Sequence, residues 1–157
     1  MKGRCSHFLD LLIPVFTYVI YQWDINENLE NCCNLLRLIE NVLKQCEKGF
    51  KQVYIDPVVE VILKYIQKPK VTSICLDILD TLISIKKNQL HYKIEPIVNI
   101  FNNIINSYIE TKQSKEVVIK TIIILKRLEE LLDPYLDIII KTLCRLISRE
   151  LNSEIKS

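Results

Sequence analysis

Few residues of this sequence have the types and spacing that catalysis or metal binding requires. The two histidines, His7 and His91, are isolated, and neither belongs to the paired arrangements in which histidines ligate zinc. The chain has only two glycines, so it has no glycine-rich phosphate-binding loop and no nucleophile turn of the hydrolase type. We therefore predict that this chain is not an enzyme and that it has no catalytic residue, no cofactor and no metal.

The cysteines could support redox chemistry, but none of them forms a C-x-x-C pair. The six are Cys5, Cys32, Cys33, Cys46, Cys75 and Cys144. Most lie on apolar helical faces, so we expect reduced, buried thiols in a cytosolic protein, and disulfides are the alternative. Cys33 points away from the face of Cys32. It is a candidate for a half-exposed reactive thiol, although no cationic residue adjoins it in the sequence.

Three aspartates recur two residues after an aromatic residue: Asp10, Asp56 and Asp137. They could form a ladder of carboxylates along one surface. We favour a second interpretation, in which each lies in a first helical turn and stabilises the positive end of the helix dipole by roughly 0.3–1 kcal/mol.

Two further features could mark a partner surface. The first is a loose basic stretch, which we interpret as a solvated face, and its members are Lys64, Lys68, Lys70, Lys86 and Lys87. The second is Trp23, the only tryptophan, which would be a binding anchor if exposed. We expect it instead to pack under its loop.

The elements that position these residues are revealed by an internal repeat. Four segments begin with an aromatic anchor, at Phe8, Tyr54, Tyr92 and Tyr135, and the intervals are 46, 38 and 43 residues. These intervals straddle the period of about 40–47 residues of HEAT and armadillo repeats. Five, eight and twelve residues after each anchor the sequence is apolar, which marks one face of a helix. The twelve positions are Ile13, Phe16, Ile20, Val59, Ile62, Ile66, Ile97, Ile100, Ile104, Ile140, Leu143 and Ile147.

Three more helices are predicted between the anchored ones, from apolar residues spaced by three and four. Their predicted faces are Leu29, Cys32, Leu36, Ile39, Leu43 and Cys46; then Val71, Ile74, Cys75, Ile78, Leu79 and Leu82; then Val118, Ile122, Leu125, Leu128 and Leu132. Breaks are expected at Gly49, at Pro69, at the polar connector 111–114 and at Asp133-Pro134. Pro14, Pro57 and Pro96 should lie in first turns or kink their helices.

The predicted fold is therefore all-α. It is a HEAT/armadillo-type α-solenoid of about seven helices in the order B-A-B-A-B-A-B, where B denotes an anchored helix. We expect residues 1–157 to form a single segment, a fragment of a longer array. Because an array cut in mid-repeat lacks polar caps, its terminal helices should expose apolar surface and could self-associate.

Composition narrows the classes of partner. The net charge is +2, with 21 basic and 19 acidic residues spread along the chain, so no nucleic-acid footprint is expected. The longest uncharged run, residues 11–23, is too short to span a bilayer, and no transmembrane segment is expected. The basic N-terminus lacks a small-residue cleavage site, so we predict a cytoplasmic location rather than secretion.

The order of the segments resembles the HEAT region of target-of-rapamycin kinases, which belong to the phosphatidylinositol-3-kinase-related class. Residues 5–14, CSHFLDLLIP, resemble that family's aromatic-Leu-Pro-x-x-x-Pro helix, and Tyr54-Ile55-Asp56 resembles the start of its next repeat. The second intervening helix and the Tyr92 helix resemble the repeat after that. Residues 133–140, DPYLDIII, resemble its Asp-Asp-Tyr-Leu helix, preceded by a helix similar to residues 117–121, VVIKT.

The resemblance covers roughly residues 4–150 and departs from the family in places. Lys141 stands where the family has proline, and the connector 21–28 is longer. The chain contains no FAT region, rapamycin-binding segment or kinase domain. The resemblance implies a scaffold segment of a large Ser/Thr protein kinase in growth and nutrient signalling, where the HEAT array binds protein partners, mediates dimer assembly and docks the substrate-recruiting subunit. The alternatives are an independent HEAT/armadillo adaptor of the transport or phosphatase-scaffold type, and a small helical enzyme or ligand binder that uses a core cavity.

Overall fold

A computed structural model describes residues 2–23, 27–45, 52–112 and 115–156. Seven α-helices account for most of these residues, and no strand occurs among them. The helices are α1 (Lys2–Gln22), α2 (Leu29–Gln45), α3 (Ile55–Tyr65), α4 (Thr72–Lys86), α5 (Ile94–Thr111), α6 (Lys115–Arg127) and α7 (Leu136–Lys156). The all-α class and the predicted number of helices are confirmed.

Four short 3-10 helices lie between the described α-helices, and only the last of them coincides with a predicted break. They are Gln52–Tyr54, Lys87–Lys93, Glu129–Leu131 and Asp133–Tyr135. The Asp133-Pro134 break occurs as predicted, but α6 ends earlier, at Arg127. Leu128 and Leu132 remain buried although they lie outside the α-helix. The break predicted at Gly49 lies outside the described residues.

The prolines lie at two kinds of position. Pro57 and Pro96 are the third residues of α3 and α5, as predicted, where a missing N–H costs nothing because first-turn amides have no helical acceptor. Pro14 lies deep inside α1, because that helix begins at Lys2. Three residues after this proline, the hydroxyl of Thr17 donates to the carbonyl oxygens of Ile13 (2.8 Å) and Pro14 (3.2 Å).

The chain forms two compact units, Met1–Leu90 and His91–Ser157. In the first unit α1 packs against α2 and α3, and α4 packs against α2 and α3. Two helical hairpins, α1–α2 and α3–α4, therefore stack on each other, so that α1 lies against α3 and α2 lies against α4. The second unit contains α5, α6 and α7, and there α5 packs against both of the other helices.

The predicted apolar faces form most of the core of the first unit but less than half of the core of the second. Every described member of the α4 face is buried, and in α2 Cys32, Leu36, Ile39 and Leu43 are buried while Leu29 is half-buried. Cys46 lies outside the described residues. In α6 the prediction is wrong at Ile122, which is 38% exposed. Buried positions that the pattern missed in α6 are Thr121 and Ile124.

The face predicted for α7 is wrong. Ile140 and Ile147 are 53% and 58% exposed, and Leu143 is only half-buried. The residues of α7 that enter the core are Ile139, Thr142 and Leu146, spaced by three and four. The physical reason is that α7 has two apolar stripes on different sides, and the stripe that α5 covers is not the one that matches the other repeats.

Candidate interaction surfaces

The four repeat anchors lie in different environments. Tyr54 is buried, Tyr135 is half-buried, and Tyr92 is 42% exposed on the 3-10 helix Lys87–Lys93. The side chain of Phe8 lies outside the described part, although its backbone belongs to α1. Sequence spacing therefore locates the anchors near helix starts for α3, α5 and α7, but it does not determine how deeply each ring is buried.

Tyrosine hydroxyls join α3 to α1. The hydroxyl of Tyr54 donates a hydrogen bond to Oδ1 of Asp10, and the hydroxyl of Tyr65 donates to the carbonyl oxygens of Ile20 and Trp23, the latter at 3.0 Å. These bonds lie at the two ends of α3 and fix its register on α1. Both hydroxyls come from side chains that are otherwise buried, so the bonds satisfy polar atoms that would be costly to leave unpaired.

The recurring aspartates have two different roles. Asp56 and Asp137 lie in the first turns of α3 and α7, as predicted from the helix dipole. The same prediction is wrong for Asp10, which lies in the middle of α1 and accepts the bond from Tyr54. An anchor of one repeat thus binds the aspartate that follows the anchor of the preceding repeat.

Polar contacts also join α5 to α7 in the second unit. The Tyr108 hydroxyl donates to Oε1 of Glu150 at 2.8 Å, and the guanidinium of Arg145 donates to Oδ1 of Asn106 at 2.9 Å. The hydrogen bond to the Glu150 carboxylate raises the pKa of Tyr108, because ionising the hydroxyl would remove the donor and place two negative charges together. These contacts orient α7 on α5, and the pattern of apolar residues gave no signal for them.

A charged cluster lies where α2 packs on α4. Nη1 of Arg37 contacts Oδ2 of Asp77 at 2.9 Å and Oε1 of Glu40 at 3.0 Å, and Nζ of Lys44 contacts Oε2 of Glu40 at 3.1 Å. Only 8% of the Glu40 side chain is exposed, so its two cations compensate the desolvation of its charge. The hydrogen bond to Asp77 is the main factor that raises the pKa of Arg37.

A small cleft lies beside this cluster. Its volume is about 200 Å³, and Lys44, Asp80, Thr81, Ser84 and Ile85 line it. The hydroxyls of Thr81 and Ser84 donate to carbonyl oxygens of their own helix, at 2.9 and 3.1 Å. The cleft is smaller than the roughly 300–1,000 Å³ of most ligand pockets.

The cysteines divide by burial. Cys32 and Cys75 are fully buried, Cys33 is half-buried and Cys144 is exposed, and these four are free thiols. Burial raises the pKa of Cys75 to about 12, with a smaller contribution from Cys33. Cys32 and Cys33 point to different faces as predicted, and Cys5 and Cys46 lie outside the described side chains.

The remaining candidates are surface features. Lys64, Lys68 and Lys70 are exposed, in keeping with a solvated face, and Nζ of Lys64 lies 5.2 Å from the ring centre of Tyr65. Lys87 is half-buried, and the side chain of Lys86 lies outside those described. Trp23 is half-buried at the end of α1. His91 is exposed beside the Tyr92 ring, with the ring centres 5.7 Å apart, whereas the side chain of His7 lies outside the described ones.

The described side chains include no group of three or more His, Cys, Asp or Glu residues that could hold a metal ion. None of the described helices combines the length and apolar character that crossing a bilayer requires.

Exposed apolar surface is concentrated on three helices. On α1 it comprises Leu11, Val15 and Tyr18, which are 55–67% exposed and spaced by four and three. On α6 it comprises Ile119, Ile122 and Ile123. On α7 it is largest, with five exposed residues: Leu136, Ile138, Ile140, Ile147 and Leu151. Large exposed apolar patches mark interaction sites, whereas single exposed apolar residues are common on any protein surface.

Comparisons with known proteins give no relative. No model of a protein family, no curated protein and no solved structure matches this chain.

Proposed function

We propose that this chain is a helical-repeat scaffold that acts by binding other proteins and not by catalysis. The observation that carries the proposal is the exposed apolar surface on α1, α6 and α7, in a chain whose cores are already formed by other faces of the same helices. A helix with two apolar stripes buries one in its own unit and can offer the second to a partner.

The stacking in the first unit supports the repeat interpretation. Successive hairpins of a HEAT or armadillo array place equivalent helices side by side, and here α1 packs on α3 while α2 packs on α4. The Tyr54 bond to Asp10 joins the anchor of one segment to the aspartate that follows the anchor of the preceding segment. A solenoid that continues through all seven helices is part of the proposal.

The specific scaffold that we propose is the HEAT region of a target-of-rapamycin-type Ser/Thr kinase in the cytoplasm. This assignment rests on the serial resemblance of the four anchored segments alone. In such a kinase the segment would shape the assembly and contact other subunits, and the phosphoryl transfer would belong to a separate domain.

Sequencing the full-length transcript tests the kinase assignment directly. We expect the reading frame that encodes these residues to continue into a FAT region and a kinase domain. A frame that ends without them would contradict the kinase assignment. The independent HEAT/armadillo adaptor would then be the scaffold to test. The test is whether the purified chain binds defined protein partners and whether changing Ile119 and Ile123 to lysine abolishes that binding.

A further inference from the structure

The exposed stripe of α7 has a symmetric arrangement. It consists of Leu136, Ile140, Leu143, Ile147 and Leu151, and four of these residues are 40–58% exposed while Leu143 is half-buried. At 100° per residue all five lie within about 80° of one another around the helix. The core-facing residues Ile139, Thr142 and Leu146 lie on another side, so the stripe is available without disturbing the unit.

The spacing of the five stripe residues is almost the same whether it is counted from the N-terminal or the C-terminal end of α7. Leu136 and Ile140 are four residues apart, Ile147 and Leu151 are also four apart, and the centre falls between Leu143 and Cys144. If a second helix of the same sequence is laid antiparallel on the stripe, Leu136 faces the second copy's Leu151, and Ile140 faces the second copy's Ile147. A contact of this kind is isologous, and it closes at two copies because each copy uses the same patch.

The size and chemistry of the stripe suit a second copy. Its five side chains are uncharged, so a two-fold arrangement opposes no like charges along the seam. The exposed fractions correspond to roughly 400 Å² of apolar surface per chain, within the range of the largest, often functional, patches on monomers. With flanking side chains, two copies would bury about 1,000 Å² in total, the lower bound for a specific interface.

We propose that this chain forms a weak, reversible homodimer through an antiparallel, two-fold pairing of α7 with the α7 of a second copy. The pairing concerns one helix face of the 157-residue chain, and in a longer array a following repeat would compete with the second copy for that face. Cys144 is exposed and lies beside the centre of the stripe. The two-fold axis therefore brings Cys144 of both copies to the same flank and to nearly the same level along the pair.

Sedimentation equilibrium of the 157-residue chain in reducing buffer tests the proposal. We expect a concentration-dependent mass that rises to twice 18.5 kDa, with a dissociation constant in the micromolar range, about 1–100 µM. Ile140→Lys and Ile147→Lys should each raise that constant at least tenfold. Ile138→Lys is the matched control, because Ile138 is 49% exposed on the same helix but faces the opposite side, and it should leave the constant unchanged.

Cross-linking gives a second readout of the same geometry. A short bismaleimide should link two wild-type chains, and Cys144→Ser should abolish the linked dimer. A chain that stays monomeric at about 100 µM would overturn the proposal. So would assemblies that grow beyond two copies, a dimer that Ile140→Lys leaves intact, or a dimer that Ile138→Lys dissociates equally well.

Discussion

Lys112 shows how a single residue can lie in an unfavourable conformation at the end of a helix. Its φ is 57°, the left-handed region, and it is the only non-glycine residue with positive φ among the described residues. Its N–H donates to the carbonyl oxygen of Tyr108 at 2.7 Å, which closes the last turn of α5. Glycine is preferred at such positions because a Cβ in this conformation costs about 1–2 kcal/mol.

Replacing this lysine should therefore stabilise the protein. We expect Lys112→Gly to raise the free energy of unfolding by about 0.5–1 kcal/mol, measured by urea denaturation. Lys141→Gly is the matched control, since Lys141 is exposed inside α7, where glycine should cost roughly 0.8–1 kcal/mol. Equal effects of the two substitutions would contradict the left-handed assignment.

Cys75 is the residue whose burial has the clearest chemical consequence. Its thiol should resist Ellman's reagent in the folded chain at pH 8, because its pKa is about 12 and the thiolate is the reactive form. The exposed Cys144 should react under the same conditions. Peptide mapping by mass spectrometry distinguishes the two sites, and modification of Cys75 as fast as Cys144 would refute its burial.

The raised pKa of Cys75 also makes stability depend on pH. The folded state holds this proton up to a pH of about 12, whereas the unfolded thiol releases it near the ordinary value of 9.0. The stabilising contribution is thus complete below pH 9 and is lost as the pH rises through about 12. We expect the difference in unfolding free energy between wild type and Cys75→Ala to shrink over that window, and a constant difference would be the contrary result.

At the scale of the element, α7 shows both the strength and the limit of periodicity. The spacing of three and four correctly predicts a helix after Asp133-Pro134, and for α3 the same offsets identify the buried face. In α7 two sets of residues have the spacing of three and four, one containing Ile139 and the other containing Ile140. Periodicity reports that a face is apolar, but which face is covered depends on the position of α5, which no local pattern encodes.

Two neighbouring isoleucines of α7 test which face enters the core. Ile139 is 6% exposed and Ile140 is 53% exposed. We expect Ile139→Ala to lower the free energy of unfolding by roughly 2–4 kcal/mol, because it leaves a cavity, and Ile140→Ala to change it by less than about 1 kcal/mol. The measurement is urea denaturation followed by circular dichroism. If Ile140→Ala lowered the free energy of unfolding more than Ile139→Ala, the buried face of α7 would be the one predicted from the repeat.

The polar contacts between helices are harder to predict from the sequence than the apolar core is. Tyr54 and Asp10 were both singled out by the repeat, but not as partners, since they lie 44 residues apart. Tyr65, Tyr108 and Arg37 carried no signal at all. A hydrogen bond between two helices requires their register and separation, and these follow from packing rather than from composition.

At the scale of the molecule, the described part of the chain consists of one unit of two stacked hairpins and a second unit of three helices. In each unit the interior is filled by one set of apolar faces, and α1, α6 and α7 have further apolar residues in contact with solvent. A scaffold needs such surfaces and needs no reactive centre. The proposed function also requires that each anchored helix packs against the next one along the chain, because that packing defines a repeat array.

A double-mutant cycle between Tyr54 and Asp10 tests this stacking most directly. Tyr54→Phe removes the donor that immediately precedes α3, and Asp10→Ala removes the acceptor on α1. The double mutant then measures the coupling between the two helices. The control pairs Asp10→Ala with Tyr18→Phe, because Tyr18 is 67% exposed and lies two turns away on α1. We predict a coupling of about 1 kcal/mol or more for Tyr54 and additivity for Tyr18. A coupling below about 0.3 kcal/mol for Tyr54 would contradict the stacking of α3 on α1, and with it the repeat scaffold.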